Sequence, residues 1–462
     1  MISSYMIRFI FLVLIALLAG VLQTAVSVKG SEPDTAGFSS ITIADYKTHI
    51  ATGASALAGT LQTALEPFSS DQSAVVNAHV IRLTPDDRPN SSTPQSMITS
   101  LQSRLCDVSA SYYVAFAGTF FAILLILPNA ERLGLIDHPD SERKVHGISK
   151  PVVGGIALLA GIAVSMLYFG SVSAYVGLFP AMALMVATGV ADDRRDISFK
   201  IRFILQAIAT ISVMHFGGTV LRSFGDLFSL GQLQTGLFAW VVTIFCVSGV
   251  INAINMIDGL DGLAGSVSLV AFIAFGMLSG LLGRNDLVLV AIAFSGAIAA
   301  FLYFNWHPAK LFMGDAGSMN IGFVLAYLSI ETTQHSHSVS PVVALLILAL
   351  PVSDTLVVMA RRMFAGKNPF HADRTHIHHL LLEIGFSQRA TVLIITMLTV
   401  VSSSIAVIGT IQHVSEPVLF TIWISCFALY FAACCRIEII YRFICHFRAQ
   451  SLSSTSLDAS KH

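Results

Sequence analysis

The sequence predicts an all-α, polytopic integral membrane protein with about eleven transmembrane helices, preceded by one N-terminal signal or anchor helix. Three observations predict it. Apolar residues make up 55% of the chain and charged residues only 11%, less than half the share usual in a soluble domain. From Ser111 onward the chain breaks into runs of membrane length, at roughly 111–131, 152–169, 172–190, 201–217, 235–252, 262–284, 286–305, 317–334, 341–364, 389–411 and 416–444. Lys and Arg gather in alternate loops: those after the odd-numbered runs hold nearly all of them, while the opposite loops hold only Arg222 and Arg284. The basic loops belong on the cytoplasmic side, so the body begins outside and ends inside.

Residues 1–28 carry one basic residue, Arg8, before an apolar stretch, and read as a signal peptide or membrane anchor. Residues 29–110 are rich in Ser, Thr and Ala and poor in aromatics, an extracytoplasmic extension of low order. Met97 stands just upstream of the body as an alternative start. Residues 111–445 form the transmembrane domain and 446–462 a cytoplasmic tail. The net charge of −1 gives no case for nucleic-acid binding. The six cysteines show no metal-ligand spacing and read as small hydrophobes.

The polar residues are not scattered. Asn252–Gly265 places Asn255, Asp258 and Asp261 at three-residue intervals among glycines, between two apolar runs. Unpartnered Asp and Asn cost several kcal/mol each in lipid, so a membrane protein keeps them where water, a metal or a charged ligand meets them. Asp192-Asp193-Arg-Arg-Asp196 with Lys200 and Arg202, Phe312-Met-Gly-Asp315-Ala-Gly-Ser318, and Arg361-Arg362 followed by His376-Ile-His378-His379 fall in loops of the same side. Lys150-Pro-Val-Val-Gly-Gly155 joins them.

Crowded carboxylates repel unless a cation is present or a proton is shared, and cations beside them suit an anionic ligand. Carboxylates with Lys, Arg and His at one site describe metal-assisted phosphate chemistry. Oxygen ligands favour Mg²⁺, with Mn²⁺ as the alternative, and no cysteine or carboxylate completes a histidine zinc site. A transporter would place its ionisable groups near mid-membrane on broken helices. Here they sit at the ends of the runs, on one side.

Together these loops resemble the polyprenyl-phosphate N-acetylhexosamine-1-phosphate transferases, glycosyltransferase family 4, over roughly 115–435. The His-Ile-His-His and Lys-Pro-Val-Val-Gly-Gly versions are similar to the WecA-like branch of that family. The MraY-like branch reads His-His-His and Thr-Pro-Thr-Met-Gly-Gly instead. The resemblance implies transfer of GlcNAc-1-phosphate from UDP-GlcNAc to undecaprenyl phosphate, giving undecaprenyl-diphospho-GlcNAc and UMP. It leaves another UDP-N-acetylhexosamine open as donor. It further implies Mg²⁺ held by Asn255 and Asp315. Asp192, Asp193, Asp258, Asp261 and His376 are implied as catalytic, and Arg202, Phe312, Arg362, His378 and His379 as substrate-binding, with Phe312 stacked on uracil. The implied setting is the bacterial inner membrane with the active site on the cytoplasmic face, a cell-surface polysaccharide such as O-antigen as the end product, and room for a homodimer.

Overall fold

The computed structural model describes residues 94–137, 150–170, 175–335, 338–364, 366 and 376–436. The expected signal or anchor, the extension up to residue 93 and the tail lie outside these residues. The chain divides into two units, residues 1–101 and 102–462, and the candidate site described below lies in the second.

Helices dominate, as expected. In chain order they are α1 (Pro94–Ile126), α2 (Gly154–Phe169), α3 (Leu178–Arg195), α4 (Phe199–Gly217), α5 (Ala239–Ile257), α6 (Leu263–Leu281), α7 (Asn285–Asn305), α8 (Gly314–Gln334), α9 (Pro341–Ile347), α10 (Ala349–Phe364), α11 (Ile377–Glu383), α12 (Gln388–Ile411) and α13 (Glu416–Cys435). α1 starts well ahead of the expected run at Ser111, with Pro94 in its first turn, where a missing N–H costs nothing.

Length and composition alone do not reproduce the expected count of eleven spans. Among the described residues seven are long and apolar enough to cross a membrane, or eight if the bent pair α9–α10 is one span. The difference has physical causes. α2 is only 16 residues long. α3 ends in Asp-Asp-Arg-Arg, and α8 carries Asp315 and Glu331. Between α9 and α10 the axis turns by 82°. Pro351 accounts for the break: it lacks the N–H that would bond to Ile347, and its ring crowds that carbonyl.

The core lies around α6, α7 and α8. The apolar windows of α6 and α7 are 83% and 78% buried inside the protein, against 11% for α13, which faces outward. α8 packs against α5, α3, α2 and α6. Small residues permit this, as expected where lipid removes the hydrophobic drive between helices. A Cβ on Gly189 of α3 would come within 2.2 Å of the Ala316 backbone, and one on Gly155 of α2 within 2.3 Å of Gly317 N.

Two small β features went unforeseen. β1 (Ile136–Asp137) pairs antiparallel with β2 (Lys150–Pro151), and Val152 forms a parallel bridge with Phe312. Phe312 N–H donates to Pro151 O at 2.8 Å, and Gly154 and Gly155 N–H donate to Phe312 O and Met313 O at 3.1 and 3.0 Å. The Lys150–Gly155 stretch is thereby laced to the entry of α8.

A polar network also stands at the opposite end of the bundle. Glu331 accepts from Thr219 Oγ1 at 2.6 Å and from Arg284 at 3.2 Å, and Arg284 also grips Asp286 at 2.7 Å. Reading Asp286 and Glu331 as parts of apolar runs concealed it.

Candidate active site

The site is assembled from helix ends. Asp192 and Asp193 close α3, past its apolar run. Asp192 is buried; its Oδ2 accepts from Arg202 Nη1 at 2.6 Å, and its Oδ1 is buried without a hydrogen-bond donor. Arg202, in the first turns of α4, also lies 3.8 Å from Asp315 Oδ2, so one guanidinium bridges two carboxyls. Burial and the adjacent Asp315 push the Asp192 carboxyl up to about 7 against the opposing pull of Arg202.

Asp193 does something different. Its Oδ1 accepts the backbone N–H of Asp315 at 2.9 Å, and its Oδ2 that of Ala316 at 3.4 Å. No side chain of α8's own N-cap residue, Met313, makes a capping bond. The carboxyl of α3 therefore caps α8 from outside, satisfying orphan donors at the positive end of the helix dipole. Gly314 makes this possible: its φ is +69°, and a Cβ there would meet Asp193 Oδ2 at 2.6 Å. Burial, then the charge of Asp315, pushes the Asp193 carboxyl up to about 7 despite the two N–H donors.

Asp315 stands in the first turn of α8, one third exposed. Asn255, on the last turn of α5, donates Nδ2–H to Asp315 Oδ1 at 2.7 Å and to Ser318 Oγ at 2.9 Å. Three residues on, Asp258 ends α5. Burial pushes its carboxyl up to about 7, and Asp315, Asp193 and Asp261 add repulsion in that order. Four helix ends, of α3, α4, α5 and α8, thus bring Asp192, Asp193, Asn255, Asp258, Arg202 and Asp315 together.

Asp261 is turned to another task. Its Oδ2 accepts from Ala309 N–H at 3.0 Å and lies 3.0 Å from His307 Nδ1 and 3.8 Å from Lys150 Nζ. It anchors the strap between α7 and α8 to the turn after α5. The Lys150 ammonium also sits 4.9 Å over the Phe312 ring, a cation–π contact that already holds the aromatic.

The histidines complete the ring of loops. His376 precedes α11 and is buried, its Nδ1 2.8 Å from Asp354 Oδ2 on α10. The His376 and His378 rings lie parallel, 5.9 Å apart, and His379 is 4.2 Å from His378. Burial pushes the His378 imidazole down to about 3. Gly259, next to Asp258, is its platform: a Cβ there would stand 2.4 Å from His378 Nε2. That contact joins the histidine loop to the carboxylate turn. Arg362 is buried on α10, two helical turns beyond Asp354 and on the same face.

Sequence reading missed five participants. Lys150 stood in a recognised stretch but not among the site residues, and nothing marked His307. Ser318 lies four residues past Gly314, whose carbonyl its hydroxyl bonds at 3.1 Å. Asp354 stood unmarked inside the apolar run 341–364; its spacing of eight from Arg362 was the available signal. Nothing in the sequence marked Tyr430, whose hydroxyl reaches Asp354 Oδ1 at 2.5 Å.

Residues 175–333 match the family model described as Glycosyl transferase family 4. The undecaprenyl-phosphate alpha-N-acetylglucosaminyl 1-phosphate transferase of Escherichia coli O157:H7 is 38% identical over 350 residues, covering 74% of this chain and 94% of that protein. The protein of the same name from Yersinia pestis is 38% identical over 326 residues, covering 69% and 89%. That from Haemophilus influenzae is 36% identical over 328 residues, covering 69% and 92%. At 38% identity across 94% of a curated relative's length, the chain belongs to glycosyl transferase family 4.

Proposed function

We propose that the protein transfers GlcNAc-1-phosphate from UDP-GlcNAc to undecaprenyl phosphate, giving undecaprenyl-diphospho-GlcNAc and UMP. The carrying observation is the convergence of Asp192, Arg202, Asn255 and Asp315 in one hydrogen-bonded cluster at the mouth of the bundle. An oxygen of the lipid phosphate attacks the sugar-bearing β-phosphorus, and the bond from that phosphorus to the bridging oxygen breaks, releasing UMP. One phosphoanhydride replaces another, so little driving force is needed, and catalysis is positioning plus charge neutralisation.

Charge balance supports a divalent cation. Asp192, Asp193, Asp258 and Asp315 face one guanidinium, Arg202, a set that by itself would repel a diphosphate. The donors beside Asp315 are oxygens, from its own carboxylate and the Asn255 carboxamide. Among the described residues no three His, Cys, Asp or Glu side chains form a ready-made cage. Such a set fits Mg²⁺, or Mn²⁺ in its place, which keeps waters and takes the rest of its shell from substrate phosphates. Held by Asp315 and Asn255, the ion would neutralise the diphosphate oxygens. Asp193, committed to two backbone donors, serves in this reading to hold Asp315 in place. Asp192 and Arg202 meet the lipid phosphate, and His376, His379 and Arg362 meet the sugar diphosphate; His378, expected to bind substrate as well, is buried behind them and packs the loop.

On α4, Ile201, Ile204, Ile208 and Ile211 lie exposed along one face from Arg202 outward, which suits an apolar polyprenyl tail beside its phosphate. The Lys and Arg bias supports a cytoplasmic setting for this end, in this reading at a bacterial inner membrane, where a nucleotide sugar is available. The product would start a cell-surface polysaccharide such as O-antigen; the reading asks nothing of a second copy. UMP release from a panel of UDP-sugars by the purified protein, with undecaprenyl phosphate and Mg²⁺, tests it. UDP-GlcNAc should be the preferred donor, and chelation should abolish turnover until Mg²⁺ or Mn²⁺ is returned. An Asp315→Ala protein with wild-type turnover would refute the site.

A further inference from the structure

Asp354 has no part in the cluster around Asp315, and its place in the fold is unusual. It sits inside α10 on the bent pair α9–α10 with its side chain 3% exposed, where a carboxylate needs strong reasons to stay. Three donors from two other elements converge on it. His376 Nδ1 lies 2.8 Å from Oδ2, Ile377 N–H donates to Oδ1 at 2.9 Å, and Tyr430 O–H of α13 donates to the same oxygen at 2.5 Å. The carboxylate thus takes the ring of one site histidine, the backbone just after it and a fixed point on a third helix.

The arrangement decides the state of His376. A carboxylate can only accept, so Nδ1 must carry a hydrogen, and Nε2 is the nitrogen left to act. The ring is locked in direction as well, lying parallel to His378, which rests against Gly259 beside Asp258. We infer that Asp354 is a positioning residue for His376: it fixes the Nδ1–H tautomer and the ring plane, so that Nε2 is presented to the phosphate groups of the bound nucleotide sugar. Tyr430 holds the carboxylate in that pose. The inference rests on the transferase reading and on His376 belonging to its site.

Asp354→Asn is the sharpest probe. It keeps the shape but offers one acceptor and an NH₂ donor to three donors, so a donor must be lost or His376 must change tautomer. Oriented partners of this kind are worth about 10- to 100-fold in activity. With the full chain in detergent and labelled UDP-GlcNAc, Asp354→Asn should lower kcat by that factor while KM for the donor stays within about threefold. Asp354→Glu, which restores the charge, should recover part of the loss. His376→Ala should be slower still, and the Asp354→Asn/His376→Ala double variant no slower than His376→Ala alone, because the carboxylate acts only through that ring.

Full kcat in Asp354→Asn, a loss confined to KM, or a double variant slower than both singles overturns the inference. So does failure of both Asp354 variants to fold, which would make the carboxylate purely structural. A wild-type chain that releases no UMP instead refutes the transferase reading, and full activity in His376→Ala refutes that residue's place in the site.

Discussion

The histidine loop should make the fold sensitive to acid through one identifiable ring. His378 is 1% exposed, wedged between the rings of His376 and His379 and against Gly259, and burial pushes it down to about 3. In the unfolded chain an imidazole titrates near 6.5. A folded value below the unfolded one means the native state takes only the neutral ring. Its stabilising contribution is whole above about pH 6.5 and is lost as pH falls toward 3, at about 1.4 kcal/mol per pH unit. Between pH 7.5 and pH 5 the loss is about 2 kcal/mol, roughly 2 to 4 °C in the melting temperature of a chain this size. The assay is thermal melting in detergent at the two pH values, for wild type and for His378→Gln, which fills similar space but does not titrate. The wild type should drop further than the variant by that amount. An equal drop in both would refute the claim that His378 is held neutral by its surroundings.

Two further outcomes follow from the same contacts. Gly259→Ala puts a methyl 2.4 Å from His378 Nε2 and must displace the ring; UMP release should fall at least tenfold, and the acid sensitivity described above should shrink with it. Arg202→Gln leaves the buried Asp192 carboxyl without its 2.6 Å partner and removes the cation beside Asp315. An uncompensated buried charge costs about 2 to 5 kcal/mol, so initial rates should fall at least 30-fold. Arg202→Lys should recover only part, since a single ammonium does not reproduce the guanidinium that spans both carboxyls.

Much of the site was legible in the sequence because membrane chemistry is severe about charge. Asp192, Asp258 and Asp315 could be picked out as one cluster because nothing else justifies carboxylates at the ends of apolar runs on one side. What the sequence concealed is how those residues divide the labour. Asp193 and Asp192 are neighbours of the same type, yet successive helical residues point about 100° apart. One meets Arg202 and the other caps a helix that lies 122 residues further along the chain. Asp261 repeats the spacing of Asp258 and points into a structural strap. A count by length and hydropathy falls short of the eleven expected spans for a related reason. Hydropathy judges a helix by what lipid would accept, whereas α3 and α8 face protein and can carry Asp193, Asp315 and Glu331 against partners from other loops.

The position of Asp315 is the quantity on which the arrangement depends, and α8 is held so that it cannot drift. At the near end Asp193 takes the first N–H groups, while the close approaches of Gly189 and Gly155 leave no room for the helix to slide or roll. At the far end, sixteen residues along, Glu331 is bonded to Thr219 and Arg284, and Gln334 accepts the N–H groups of Arg222 and Ser223 at 2.9 and 3.0 Å. Greasy contacts alone would not fix such a helix, because lipid tails are as apolar as its neighbours. Polar bonds at both ends, with glycine contacts near the mouth, supply the registration that apolar packing in a bilayer lacks. The far network, remote from the carboxylates, is therefore part of what keeps Asp315 within 2.7 Å of Asn255.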